Sequence, residues 1–148
     1  MQRGIVGGYV LGDPHPDPQH AAQLNSDAAA TGLAVLVFQG AGYNHREFKH
    51  AMVVRRGVYW LIENQQENGC LFVPSDKTSN DSCRMYSHGI AALALTEAYG
   101  MTQDPKLKEP AQRAIDYILE TQDARKGGWR YFEETDARST DTSVSGWM

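Results

Sequence analysis

Two stretches decide how this chain folds: GLAVLVFQGAGYNHREFKHAMVVRRGVYWLIENQ at residues 32–65 and GIAALALTEAYGMTQDPKLKEPAQRAIDYILETQ at residues 89–122. Placed one above the other at an offset of 57 residues they need no gap, and 8 of the 34 positions are identical. The identities are Gly32 with Gly89, Ala34 with Ala91, Leu36 with Leu93, Ala41 with Ala98, Lys49 with Lys106, Arg56 with Arg113, Glu63 with Glu120 and Gln65 with Gln122. Leu33 with Ile90, Val58 with Ile115, Trp60 with Tyr117 and Leu61 with Ile118 are conservative pairs. A further step carries Gly89 to Gly146, and two steps carry Asp27 to Asp141, so a third unit opens near the end of the sequence. Self-similarity at a fixed period of this size is the signature of a repeat architecture.

Each unit has two parts. The first, Ala28 to Gly42 and again Tyr86 to Gly100, is rich in Ala and Leu, almost free of charge, and ends in glycine. A helix of that composition is apolar around most of its surface and must be buried on several sides. The second, about Phe48 to Gln65 and Leu107 to Gln122, spaces apolar residues such as Ile115 and Ile118 at helical intervals among Arg, Glu, Gln and Lys. That pattern predicts an outer helix with one wet face. Asp27 and Asp141 are placed to cap inner helices, Pro110 to occupy a first turn, and Gly42 and Gly100 to serve as left-handed stops. The expected fold is all-α: helical-hairpin repeats with about four main helices and the start of a fifth. Residues 1–24, with the Asp-Pro-His-Pro-Asp-Pro run at Asp13 to Pro18, read as an extended or disordered lead. Residues 25–148 form a single repeat domain, with units at about 27–83 and 84–140 and a third beginning at 141–148.

Composition excludes several classes. Fourteen Lys and Arg against 18 Asp and Glu, mixed along the chain, give a net charge of -4 and no footprint for a polyanion. Nucleic acid is not expected as a partner. The longest apolar stretches, such as Leu33 to Phe38, fall far short of the ~20 residues that span a bilayer, and no convincing signal-peptide cleavage site follows the Ile5 to Leu11 run. A cytoplasmic location is the expectation. Two cysteines, Cys70 and Cys83, do not make a disulfide framework; they read as free thiols, with a single disulfide after export as the competing reading.

The end of each outer segment resembles the QW motif of squalene and oxidosqualene cyclases, which runs basic, small, aromatic, aliphatic, then Gln-x-x-x-Gly-x-Trp. The first copy reads Arg56, Gly57, Trp60, Leu61, Gln65, Gly69, with Leu71 at the tryptophan position; the second reads Arg113, Ala114, Tyr117, Ile118, Gln122, Gly127, Trp129, with one extra residue before the glycine. In the gap-free register Phe72, not Leu71, falls opposite Trp129. The chain thus resembles the squalene-cyclase and protein-prenyltransferase superfamily over about residues 24–148. The resemblance implies an α/α toroid in which the motif ties neighbouring repeats together. A full ring of that family closes several hairpins around a cavity for an isoprenoid or other elongated apolar ligand. Two hairpins and a beginning cannot close it, so a fragment, or a piece that self-associates to supply what is missing, is expected.

The resemblance also marks where chemistry would lie. Squalene-hopene-type cyclases protonate substrate from an Asp-x-Asp-Asp cluster, and the matching place here reads Arg138, Ser139, Thr140, Asp141, Thr142. Only Asp141 remains, as a weak catalytic candidate beside its role as a cap. Prenyltransferases hold zinc with an Asp-x-Cys pair and a histidine from a later repeat. Asp81, Cys83 and His88 carry the right ligand types, but their placement is offset from the family's, so no metal and no cofactor are expected. Tyr86, His88, Trp129 and Trp147, with Tyr131, are the candidates that would line a cavity, and core packing explains the aromatics among them equally well. Whether the chain is an enzyme stays open at this point, since neither the acidic motif nor the zinc set is intact, and no independent catalysis is expected. The alternative is an α-helical repeat interaction module that binds protein or peptide through a polar inner face.

Overall fold

The computed structural model describes residues 26–74, 83–133 and 140–148. Among the described residues five helices follow one another: α1 (Asp27–Gly40), α2 (Ala51–Glu63), α3 (Arg84–Thr102), α4 (Pro105–Glu120) and the short α5 (Thr142–Ser145). No strand occurs among the described residues, so the chain is all-α. No described helix is long and apolar enough to cross a membrane. The lead at 1–24, the segment holding Asp81, and Arg138 with Ser139 lie outside the described residues.

Helix α3 is the centre of the molecule and packs on α1, α4, α2 and α5. Its buried residues, among them Met85, Ala91, Ala92, Ala94, Leu95 and Ala98, run around most of its circumference, as expected of a helix almost without charge. Helix α1 lies parallel to it: Ser26 meets Ser87, Gly32 meets Ile90 and Ala91, and the Gln39 side chain donates to the Ala94 carbonyl. The outer helices present a single apolar stripe. On α4 this is Leu107, Ala111, Ala114 and Ile118; on α2 it is Val54, Val58 and Leu61.

Gly32 shows why the inner helices are glycine- and alanine-rich. A Cβ there would stand 3.1 Å from the Ala91 Cα and from the Ile90 carbonyl, so the bare backbone lets α1 and α3 approach this closely without either having to shift. One repeat later, a Cβ on Gly89 would meet the Trp147 carbonyl at 2.9 Å. Trp147 stands one repeat beyond Ile90, so the inner helices meet by the same contact twice.

Several helix ends differ from expectation. Ser26, not Asp27, caps α1, its hydroxyl accepting from the Ala29 N–H; Asp27 is the first helical residue and is buried. Both residue types make good caps, and the hydroxyl one position earlier takes the role. Asp141 does cap α5. Gly42 has a φ of +83° and ends α1 in a Schellman arrangement, with Tyr43 N–H on the Phe38 carbonyl and Gly42 N–H on that of Gln39. Gly100, in contrast, lies inside α3, which continues to Thr102 and stops at left-handed Gln103. Pro105 holds the first-turn position of α4, capped by Asp104, and Pro110 sits within the helix. Phe48, with a φ of +73°, lies before α2.

Candidate functional site

The QW-like residues converge on the joint between the two hairpins. Gln65, just beyond α2, donates from Nε2 to the Gly69 carbonyl and to the Pro110 carbonyl, each at 3.0 Å, while its Oε1 accepts from Arg113 Nη2 at 2.7 Å. One amide therefore closes its own turn and fastens it to α4. Gly69 turns with a φ of +90°, and a Cβ there would fall 2.2 Å from the Arg113 carbonyl oxygen. Glycine is required twice over, for the left-handed backbone and for the close approach.

The second copy repeats half of this joint. Gln122 donates to the Gly127 carbonyl at 2.9 Å, and Gly127 has a φ of +70°, yet nothing lies within 4 Å of where its Cβ would be. The loop bonds match as well: Gln66 N–H to the Cys70 carbonyl corresponds to Asp123 N–H to that of Gly128, both 2.9 Å. The next backbone group then donates to the following inner helix, Leu71 N–H to His88 Nδ1 and Trp129 N–H to Ser145 Oγ. His88 and Ser145 are one repeat apart.

Leu71, not Phe72, thus occupies the station of Trp129. The extra residue of the second turn shifts the loops by one position. Trp129 adds a bond from Nε1 to the Ile118 carbonyl at 2.8 Å, which Leu71 has no donor to match. Phe72 instead packs with Cys70, Met85, Tyr117 and Val144, and the Arg84 guanidinium lies 5.2 Å over its ring.

His88 is fully buried beside that cluster, edge-on to Tyr117. Its Nδ1 accepts from Leu71 N–H and its Nε2–H donates to the Ala114 carbonyl, both at 3.1 Å. These two bonds fix the neutral tautomer. Burial pushes its pKa down to about 4, against a smaller opposing pull from the Ala114 carbonyl. Tyr117 donates to Glu133, which also pairs with Arg84 at 3.2 Å. Burial pushes both the Cys70 thiol and the Tyr117 hydroxyl up, so neither is poised as a nucleophile or base at neutral pH.

The remaining candidates separate. With both ring nitrogens engaged, His88 has no lone pair for a metal and no open face toward a cavity. Cys83 is buried at the start of α3, and Asp81 lies outside the described residues. Asp141 accepts from the Ser143 hydroxyl and from the Ser143 and Val144 N–H groups. Its hydrogen bond from the Ser143 hydroxyl, ahead of the backbone N–H groups, holds the carboxyl below its usual range. A proton donor needs the opposite shift, so Asp141 is a cap. Tyr86 bonds the Ser143 hydroxyl and lies 5.8 Å from Tyr131, ring to ring. Trp129, half-buried, bridges the two apolar clusters, and Trp147 is partly exposed beyond Gly89. Tyr86 thus lies at the start of α3 against α5, whereas Trp147, past the end of α5, meets α3 at Gly89.

Sequence reasoning missed a second concentration of functional groups, a groove between α2 and the start of α4 that gathers Arg46, Arg55, Arg56 and Lys106. Only the Arg55-Arg56 doublet hinted at it. Comparison of the chain with protein-family models, curated proteins and solved structures finds no match.

Proposed function

We propose that this chain is a hairpin-repeat unit of the squalene-cyclase-like and prenyltransferase-like α/α-toroid kind, holding an isoprenoid-like apolar ligand against its inner helices without catalysing a reaction of its own. The observation that carries this reading is the joint: Gln65 and Gly69 lock one turn onto the next outer helix, and Gln122 and Gly127 repeat the same turn. The parallel inner helices, meeting through Gly32 and again through Gly89, support it further. Two hairpins do not close a ring, so the reading includes further hairpins, from a longer chain or from other copies.

The inner helices offer apolar side chains to a ligand. Leu33 and Val37 on α1 and Leu93 on α3 are 45%, 72% and 45% exposed. An interaction module for peptides would instead present polar and charged groups there, and Glu97 is the one acidic or basic residue exposed on α1 or α3. The non-catalytic part of the reading is supported by Asp141 being a hydrogen-bonded cap and His88 a neutral tie.

The test is titration with a fluorescent farnesyl-chain analogue below its micelle concentration, with light scattering to fix the number of copies. The Leu33→Asp/Val37→Asp double variant is expected to bind about tenfold more weakly or worse, the loss from removing two partly buried aliphatic contacts. No saturable binding by the unaltered chain would sink the proposal, as would turnover of squalene by the purified protein.

A further inference from the structure

The groove between α2 and the start of α4 lies on the outer-helix side and has a cavity volume of about 790 Å³. Arg46, Arg55, Arg56 and Lys106 line it against two acidic residues, Glu63 and Asp104. Asp104 is already engaged, through His45 Nε2 at 3.1 Å and through the Lys106 N–H that it caps. A chain with a net charge of -4 therefore gathers four of its 14 Lys and Arg residues in one concavity.

The donors of these cations are largely uncommitted. Arg55 gives only its Nε–H, to the His45 carbonyl at 3.3 Å. Arg56 shows the contrast most clearly, because its repeat counterpart Arg113 binds Gln65 and Glu109. No acceptor meets the Arg56 guanidinium or the Lys106 ammonium among the described residues, and both side chains are exposed. Tyr59, Trp60 and Pro105 form the less polar part of the wall.

We propose that this groove binds a phosphate-bearing ligand with at least two negative charges, held by Arg46, Arg55, Arg56 and Lys106, with its less polar part against Trp60. Guanidinium groups match phosphate oxygens in geometry and offer paired donors, and a concave wall concentrates their field. The ligand is either a free phosphate compound or a lipid headgroup. The proposal does not depend on the toroid reading, since it uses the outer surface and not the inner helices.

Isothermal titration of the full chain with inorganic pyrophosphate, and co-sedimentation with phosphatidylcholine vesicles with and without phosphatidic acid, distinguish the two sources. Saturable binding in either arm is expected, weakening as salt rises because exposed charges are screened. The Arg46→Ala/Arg56→Ala variant is expected to bind about tenfold more weakly or worse while melting like the unaltered chain, since both residues are exposed. Lys108→Ala, an exposed cation outside the groove, should leave binding unchanged. Absence of binding in both arms, an equal loss in Lys108→Ala, or full binding by the double variant would each overturn the proposal.

Discussion

Replacing Gly69 with alanine is expected to lower the unfolding free energy by about 3 kcal/mol, read by urea denaturation under far-UV circular dichroism. Two costs combine. A left-handed residue with a Cβ carries about 1–2 kcal/mol, and forcing an atom into a packed region adds roughly 1–3 kcal/mol. The second cost is specific to Gly69, whose Cβ would press to within 2.2 Å of the Arg113 carbonyl of α4. Gly127→Ala supplies the control, since its φ of +70° is similar while its surroundings are open. That variant should lose only the backbone part, about 1 kcal/mol. Equal losses in the two variants would show that the turn does not fasten the hairpins together.

Acidification from pH 7 to pH 4 is expected to cost about 3 kcal/mol of stability through His88 alone. Its folded pKa is about 4 against an ordinary 6.5, so the unfolded chain binds the additional proton throughout the interval between them. Stability is therefore complete above pH 6.5, falls as pH drops toward 4, and gains no further slope from this group below that. The magnitude follows from about 1.4 kcal/mol per pKa unit. Protonation would also turn Nδ1 from the acceptor of Leu71 N–H into a second donor. Asp104 and Asp141, whose carboxyls are held below 3.8 by hydrogen bonds from His45 and from Ser143 respectively, lose their contributions only in stronger acid. Urea denaturation at several pH values should show the slope, and His88→Gln should remove it while being less stable at pH 7. A slope unchanged in that variant would mean that another group carries it.

The repeat was readable because the gap-free period from Gly32 to Gln65 keeps the glycines at which inner helices meet and the glutamines that close the two turns. The ends were less legible. Ser26 and Asp27 are adjacent and both competent to cap, so composition could not choose between them. Gly100 was misread as a stop because glycine tolerates helix as well as a left-handed turn, and the Thr102 hydroxyl bonds back to the Ala98 carbonyl at 2.7 Å within the continuing helix. A one-residue difference in turn length hid the equivalence of Leu71 and Trp129, which only their bonds to His88 and Ser145 reveal. His88 was at most a weak metal candidate from its neighbours in sequence; its role as a buried tie depends on carbonyl and N–H groups 26 and 17 residues away. The cationic groove left only the Arg55-Arg56 doublet as a hint for the same reason, being shared between Arg46, Arg55 and Arg56 of one hairpin and Lys106 of the next.

The bonds that join Gln65 to Pro110 and Arg113 have a kinetic meaning as well as a structural one. A turn that is completed only by the following helix cannot loosen unless that helix gives way, so the first hairpin's stability is partly borrowed from the second. Neighbour-dependent repeats of this kind open from an unsupported edge inward. Amide exchange should accordingly be faster around Gln122 and Gly127 than around Gln65 and Gly69, giving two turns of like geometry unlike lifetimes.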